Sequence, residues 1–141
     1  EAVRAALADG TIDAIATDHA PHSAVEKAVE FDAAANGIIG LETAFPVCLD
    51  LVRKGLLTER RLVEAITIGP ARTFKLPGGT LAKGAPADLA LLDPEAEWTL
   101  DPERLRSRSR NTPWKGTRLT GRCTMTIVGG RIVHEEAEGR A

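Results

Sequence analysis

The pattern of hydrophobic and polar positions over residues 1–76 predicts short helices and one buried strand. An alanine-rich stretch at residues 1–8 predicts a helix that ends at Gly10. Residues 12–16 form a short apolar run that ends at a polar turn, which is typical of a buried strand. A long connection follows at residues 19–40, and connections of that length are often functional or mobile. Apolar residues at helical spacing then predict helices at residues 43–54 and 59–68.

Gly69-Pro70 is predicted to end the helix at residues 59–68, with one more short turn at residues 71–74. After Leu76 the hydrophobic pattern changes from helical to mainly strand-like. A strand is predicted at residues 88–93, and the runs at 124–128 and 131–134 flank Gly129-Gly130, as in a β-hairpin. We therefore divide the chain into an α/β part, a mainly β part and a polar tail that frays, at residues 1–76, 77–135 and 136–141.

Length, charge and cysteine content limit the classes of protein to which this chain can belong. The 141 residues suit one modest domain or a piece of a larger one, and the opening inside a predicted helix without Met suggests a fragment. A net charge of −2 argues against a nucleic-acid binder, and no apolar stretch reaches the roughly 20 residues that span a bilayer. The alternating arginines of residues 104–110 are interpreted as a solvated face or a subunit contact. Cys48 and Cys123 have no neighbours at metal-site spacing, so we expect reduced thiols and a cytoplasmic protein.

Candidate chemistry is concentrated where the predicted strand at residues 12–16 ends. Asp18, His19 and His22 follow within a few residues, and Pro21 stiffens the turn. Asp18 could bind a metal, move a proton or cap the turn that follows it. His22 could bind an anion or a metal, or could simply pack at the surface. The cluster as a whole, at the carboxyl end of a strand, predicts an active site.

These residues also carry a family resemblance that covers almost the whole chain. The segments Asp13-Ala-Ile-Ala-Thr-Asp-His-Ala-Pro-His22, Glu26-Lys27 and Asn36-Gly-Ile-Ile-Gly-Leu-Glu-Thr43 resemble the last third of bacterial dihydroorotases. Asn111-Thr-Pro-Trp114 and the stretch at 126–133 are similar to the tail of that family. Residues 79–93 resemble a segment found throughout the wider amidohydrolase superfamily.

The resemblance implies an α/β fold, the carboxyl-terminal part of a (β/α)8 metal-dependent hydrolase barrel plus part of a small β-sandwich. It implies the reversible cyclisation of N-carbamoyl-L-aspartate to L-dihydroorotate in pyrimidine biosynthesis, with zinc as cofactor. Asp18 matches the aspartate that contacts the metal and shuttles a proton to or from the ring nitrogen. His22 matches the histidine that binds the substrate carboxylate, and Asn36 and Gly37 match a loop whose backbone holds the substrate ring.

Departures from the family pattern leave alternatives open. The chain has only three histidines, His19, His22 and His134, and no His-x-His pair, so most zinc ligands are expected in a missing amino-terminal part. We read His19 as supporting the site, and Glu42 as a cap on the following helix. The alternatives are a related cyclic-amide hydrolase of the allantoinase or hydantoinase type, or a noncatalytic scaffold of aspartate transcarbamoylase. The expected partners are a small-molecule substrate, the missing part of the barrel and a second copy of the chain, or aspartate transcarbamoylase.

Overall fold

The computed structural model describes residues 1–136, and the chain there runs from short helices into an antiparallel sheet. No helix in this part has the length and hydrophobicity that a membrane crossing requires. The helices are α1 (Ala2–Asp9), α2 (Ala24–Lys27), α3 (Ala44–Arg53), α4 (Glu59–Ile66) and α5 (Ile68–Phe74). The strands are β1 (Leu89–Thr99), β2 (Arg118–Val128) and β3 (Arg131–Glu135), with a 3₁₀ turn at Pro102–Arg104 between β1 and β2.

The strand predicted at residues 12–16 is not formed. The backbone there is hydrogen-bonded to helices instead: Ile12 N donates to Ala6 O and Ile15 N to Ala65 O, both at 2.9 Å. A β-strand is stabilised by a ladder to a neighbouring strand. The three strands of the described residues pair only with one another, in the order β1-β2-β3, so none of them forms a ladder with this segment. The segment is therefore an irregular connection between α1 and the candidate site.

Most helix predictions are confirmed, with two corrections. Gly10 ends α1 in the left-handed conformation, and the side chain of Thr58 caps α4 by accepting from Arg61 N at 3.1 Å. The first correction is that Gly69-Pro70 does not end the helical region. The break lies two residues earlier, at Thr67, and α5 contains Pro70 in its first turn, where the missing N–H removes no helical bond. The second correction is that a short helix, α2, forms inside residues 19–40, which were predicted to be one long connection.

The helical part has one hydrophobic core, to which α1, α3 and α4 all contribute. Its most buried members are Leu7, Leu49, Leu57, Leu62 and Ala65. Cys48 packs against this cluster, and burial raises the pKa of its thiol. The core fixes α3 and α4 against α1, and thereby holds both ends of the connection that carries the candidate site.

The hairpin prediction is confirmed. β2 pairs antiparallel with both β1 and β3, and the β2–β3 turn is Gly129-Gly130, with both residues at positive φ. β1 is longer than predicted, because it continues past Pro94 to Thr99. The register shifts between Asp93 and Glu97, an irregularity that accommodates a proline inside a strand.

Helix α3 packs directly on β2 at Gly121. A Cβ atom there would lie 2.7 Å from Leu49 Cδ2 and 3.0 Å from Phe45 Cε1, so only glycine permits this approach. Beyond β3, Glu136 N donates to Thr124 O, and the Glu136 carboxylate pairs with Arg122. The first residue of the predicted polar tail is thus fixed to the sheet, and residues 137–141 lie outside the described residues.

Candidate active site

Asp18 has an unusual backbone conformation for a residue with a side chain. Its φ is +46°, and its side chain is exposed. Aspartate is one of the few residue types that tolerates this left-handed region, and such outliers are concentrated at functional sites. Within residues 1–136 no hydrogen bond or ion pair engages the Asp18 carboxylate. The carboxylate is therefore available to a ligand.

His22 contacts the loop that contains Asn36 and Gly37. Its Nε2 lies 2.8 Å from the carbonyl oxygen of Asn36. A carbonyl oxygen only accepts, so this bond places a proton on Nε2 and leaves Nδ1 as the other ring nitrogen. Three residues predicted as substrate-binding, His22, Asn36 and Gly37, therefore lie together, although fourteen positions separate His22 from Asn36.

His19 is bonded to a different part of the same connection. Its Nδ1 accepts from Gly40 N at 3.1 Å and lies 3.4 Å from Leu41 N. A ring nitrogen that accepts backbone N–H groups is not free to bind a metal. This arrangement supports the interpretation that His19 shapes the site.

Residues 36–38 present unused backbone donors. Lys27 Nζ donates to Ala35 O at 2.6 Å and to Gly37 O at 3.2 Å, while Ile38 O accepts from Ala20 N at 2.9 Å. The carbonyl groups of the loop thus have protein partners. Within residues 1–136 the N–H groups of Asn36, Gly37 and Ile38 have none. Consecutive free N–H groups are suited to bind an anion or the carbonyl oxygens of a ring.

Gly37 is required where the loop approaches residues 17–22. Its φ is +100°, and a Cβ atom would lie only 2.6 Å from Ala20 Cβ. Alanine has no side-chain rotamer through which to move away, so a side chain at position 37 would separate the two segments.

Sequence reasoning missed helix α2, which begins the connection between His22 and the loop. Ser23 and Glu26 form a capping box: Ser23 Oγ accepts from Glu26 N, and Glu26 Oε2 accepts from Ser23 N at 2.7 Å. The hydrogen bonds from Ser23 lower the pKa of the Glu26 carboxyl, and the nearby His22 lowers it further. The Ser-x-x-Glu pattern was the available signal, obscured because no apolar run follows it.

Residues 105–111 contact both residues 20–22 and the loop at residue 37, and sequence reasoning did not predict these contacts. Asn111 and Ser109 bond to residues 20–22, and Asn111 also bonds to Gly37. Glu42 belongs to the same arrangement. Its carboxylate accepts from Arg106 N at 2.9 Å and Ser107 N at 3.2 Å, so the expectation that it caps α3 is wrong. No sequence signal indicates these contacts, since the partners are more than sixty positions apart.

The described residues do not by themselves make a metal site. Residues 1–136 contain no group of three or more His, Cys, Asp or Glu side chains that could hold a metal ion. Zinc sites in enzymes use about three protein ligands. The free carboxylate of Asp18 fits the role of one ligand, and the remaining ligands would have to come from outside this part of the protein.

Comparison with known proteins gives a consistent result. The model of the amidohydrolase family matches residues 1–133. A dihydroorotase of Anaeromyxobacter dehalogenans strain 2CP-1 is 79% identical over 96% of this chain, which covers 31% of that protein. A dihydroorotase of Syntrophotalea carbinolica is 56% identical over 95% of the chain and 32% of its own length. The chain thus spans about a third of the curated relatives it matches.

A solved structure supports the same fold. The L-hydantoinase (dihydropyrimidinase) from Arthrobacter aurescens superposes with a TM-score of 0.87 at 35% identity, covering 96% of this chain and 32% of the other. This similarity extends over both the helical part and the sheet, because only a few residues of the chain fall outside it.

Proposed function

The chain belongs to the amidohydrolase family, and we propose that it is part of a dihydroorotase, which interconverts N-carbamoyl-L-aspartate and L-dihydroorotate. The observation that carries the proposal is the 79% identity to a dihydroorotase over 135 of the 141 residues. An alignment of that length spans Asp18, His22, Asn36 and Gly37. The contact between His22 and Asn36 supports it, because it gathers the residues proposed to bind substrate.

The chemistry of the reaction matches the groups at the site. Opening a cyclic amide requires an activated water and a proton for the departing nitrogen. Asp18 is proposed to carry that proton, since its carboxylate is exposed and has no partner within residues 1–136. His22 is proposed to bind the substrate carboxylate, and the free N–H groups of residues 36–38 to hold the ring.

Zinc is the proposed cofactor, with Asp18 as one ligand and the others outside the described residues. When bound, the metal would polarise the amide and activate water. We propose that the remainder of a (β/α)8 barrel supplies those ligands and that the three-stranded sheet is part of a β-sandwich. Both cysteines are free thiols, which supports a cytoplasmic location. A second copy of the chain and aspartate transcarbamoylase remain proposed partners.

The similarity to hydantoinase favours one alternative, a related cyclic-amide hydrolase. Its identity is 35%, against 79% for the dihydroorotase, so we rank it second. The noncatalytic scaffold of aspartate transcarbamoylase would lack both zinc and turnover. Metal analysis of the full-length protein separates the scaffold, which lacks zinc, from the two enzymes. An activity assay with the cyclic amide of each enzyme then separates the dihydroorotase from the hydantoinase.

The first experiment tests Asp18. In the full-length protein, Asp18→Asn should lower turnover of dihydroorotate by about 10²–10⁴-fold, the usual contribution of general acid–base catalysis. Asp13→Asn is the matched control, because Asp13 is an exposed carboxylate of the same segment. Turnover by Asp18→Asn equal to that of Asp13→Asn would contradict the assignment.

The second experiment tests His22 as the carboxylate-binding group. Loss of a charge-assisted hydrogen bond of about 1.5–3 kcal/mol predicts a roughly 10- to 100-fold fall in kcat/KM for dihydroorotate in His22→Ala. Dihydrouracil, the same ring without the carboxylate, should be affected much less. His134→Ala, in β3, is the control. Equal losses for both substrates would show that His22 only shapes the loop, and a stoichiometric loss of zinc would make it a metal ligand.

A further inference from the structure

We propose that Asn111 is a positioning residue that holds the segment of His22 against the 36–38 loop and thereby sets the affinity for substrate. The inference rests on the proposed function for the identity of the substrate. The contacts of Asn111 stand independently of it.

The side chain of Asn111 makes hydrogen bonds with both its nitrogen and its oxygen. Its Nδ2 donates to Ala20 O at 2.8 Å and to Gly37 O at 3.2 Å. Its Oδ1 accepts from His22 N at 3.3 Å and lies 2.5 Å from Ser109 Oγ. Both donors of the amide and one of its two acceptor positions are therefore engaged by the backbone of the two segments. Two carbonyl oxygens on one side and an N–H on the other also fix which end of the amide is nitrogen.

These bonds join segments that the chain otherwise leaves far apart. Asn111 is 91 positions from Ala20 and 74 positions from Gly37. Its backbone adds one more connection, because Asn111 O accepts from Ile39 N at 3.1 Å. The two segments also contact each other directly, through the bond of His22 with Asn36 and the bond of Ala20 N with Ile38 O. Asn111 therefore reinforces this direct contact from a third segment of the chain, since its side-chain amide bonds to both substrate-binding segments.

Asn111 is itself held in place by its own loop. Ser109 is buried, with 9% of its surface exposed, and its hydroxyl donates to His22 O. The start of the loop is fixed by Glu42, whose carboxylate accepts from the N–H groups of Arg106 and Ser107. Because the loop that precedes Asn111 is anchored at these two places, Asn111 can transmit a defined spacing to the groups it bonds. Substrate binding depends on that spacing, because displacements of about 1 Å in a binding geometry can cost 10²-fold.

The test uses the full-length protein with Asn111→Asp. This variant keeps the size and the acceptor oxygen, but it removes both donors and places negative charge beside two carbonyl oxygens. Thr112→Ala is the matched control, since it removes a bond within the same loop, from Trp114 N to Thr112 Oγ1, and touches neither segment. Two quantities are measured: hydrogen exchange of the backbone amides of Ala20, His22 and Ile39, which are hydrogen-bonded in the two segments, and the kinetic constants for dihydroorotate.

We expect Asn111→Asp to accelerate exchange in both segments and to raise KM by about tenfold or more with kcat within about threefold, the pattern of lost substrate binding. Thr112→Ala should leave both measurements near wild type. Faster exchange with unchanged KM would show a merely structural role and overturn the inference, as would unchanged exchange. A wild-type protein that does not turn over dihydroorotate would refute the proposed function alone, and the exchange result would then decide whether Asn111 holds the segments together.

Discussion

Adding a single methyl group at Gly37 should damage both the stability of the fold and the candidate site. In Gly37→Ala the residue keeps a φ of +100°, which costs about 1–2 kcal/mol for a residue with a side chain. The new Cβ would also lie 2.6 Å from Ala20 Cβ, and relieving such overpacking costs about 1–3 kcal/mol. Together these predict a loss of about 2–5 kcal/mol, relieved by moving the 36–38 loop away from residues 17–22.

Two other glycines have nearly the same φ and provide controls. Gly78 has a φ of +104°, and a Cβ atom added there would have no neighbour within 4 Å, so Gly78→Ala isolates the backbone strain of about 1–2 kcal/mol. Gly121 has a φ of +102°, and its Cβ would meet the Leu49 side chain in the core, away from the site. Gly121→Ala should therefore lower stability without altering substrate affinity.

The assay combines urea denaturation of the full-length variants with kcat/KM for dihydroorotate. Both Gly37→Ala and Gly121→Ala should unfold at lower urea than Gly78→Ala, but only Gly37→Ala should lose kcat/KM, by about 10- to 100-fold if the loop moves by about 1 Å. If kcat/KM in Gly37→Ala equals that in Gly78→Ala, the close approach of the loop to residues 17–22 does not matter for binding, and the reasoning is refuted.

Two further predictions concern stability. Arg61→Lys should lower the free energy of unfolding by about 2–3 kcal/mol, because the Arg61 guanidinium donates to both Leu7 O and Ile12 O and an ammonium cannot span the two. Arg60→Lys, on the exposed face of α4, should change it by less than about 0.5 kcal/mol, and equal effects would contradict the role of Arg61. Hydrogen bonds at the N-cap of α2 hold the pKa of Glu26 below its ordinary value of 4.5, so its contribution to α2 is present above pH 4.5 and is lost as the pH falls through the lowered pKa. Amide protection in α2, corrected for intrinsic exchange, should fall over that range, and it should not do so in Glu26→Gln.

Local chemistry made several elements predictable from the sequence. The Thr58 cap, the end of α1 at Gly10 and the Gly129-Gly130 hairpin each depend on residues within a few positions of one another. Hydrogen bonds and backbone preferences at that range are properties of the residues themselves. A resemblance carried by continuous motifs also singled out His22 and Asn36, but it did not predict the contact that the structure shows between them.

Contacts between distant segments were decided only by the tertiary structure. Residues 12–16 have the hydrophobic pattern of a strand, but a strand requires a neighbour, and the described fold directs their N–H groups to α1 and the end of α4. Glu42 was equally suited by sequence to cap a helix, but its carboxylate instead accepts from the N–H groups of Arg106 and Ser107, which are 64 and 65 positions away. Asn111 could not be recognised as a connection between two binding segments, because its role depends on which carbonyl groups the fold brings within hydrogen-bond distance. Helical periodicity and helix caps are thus determined by the local sequence, while the partners of buried polar groups depend on how the chain packs.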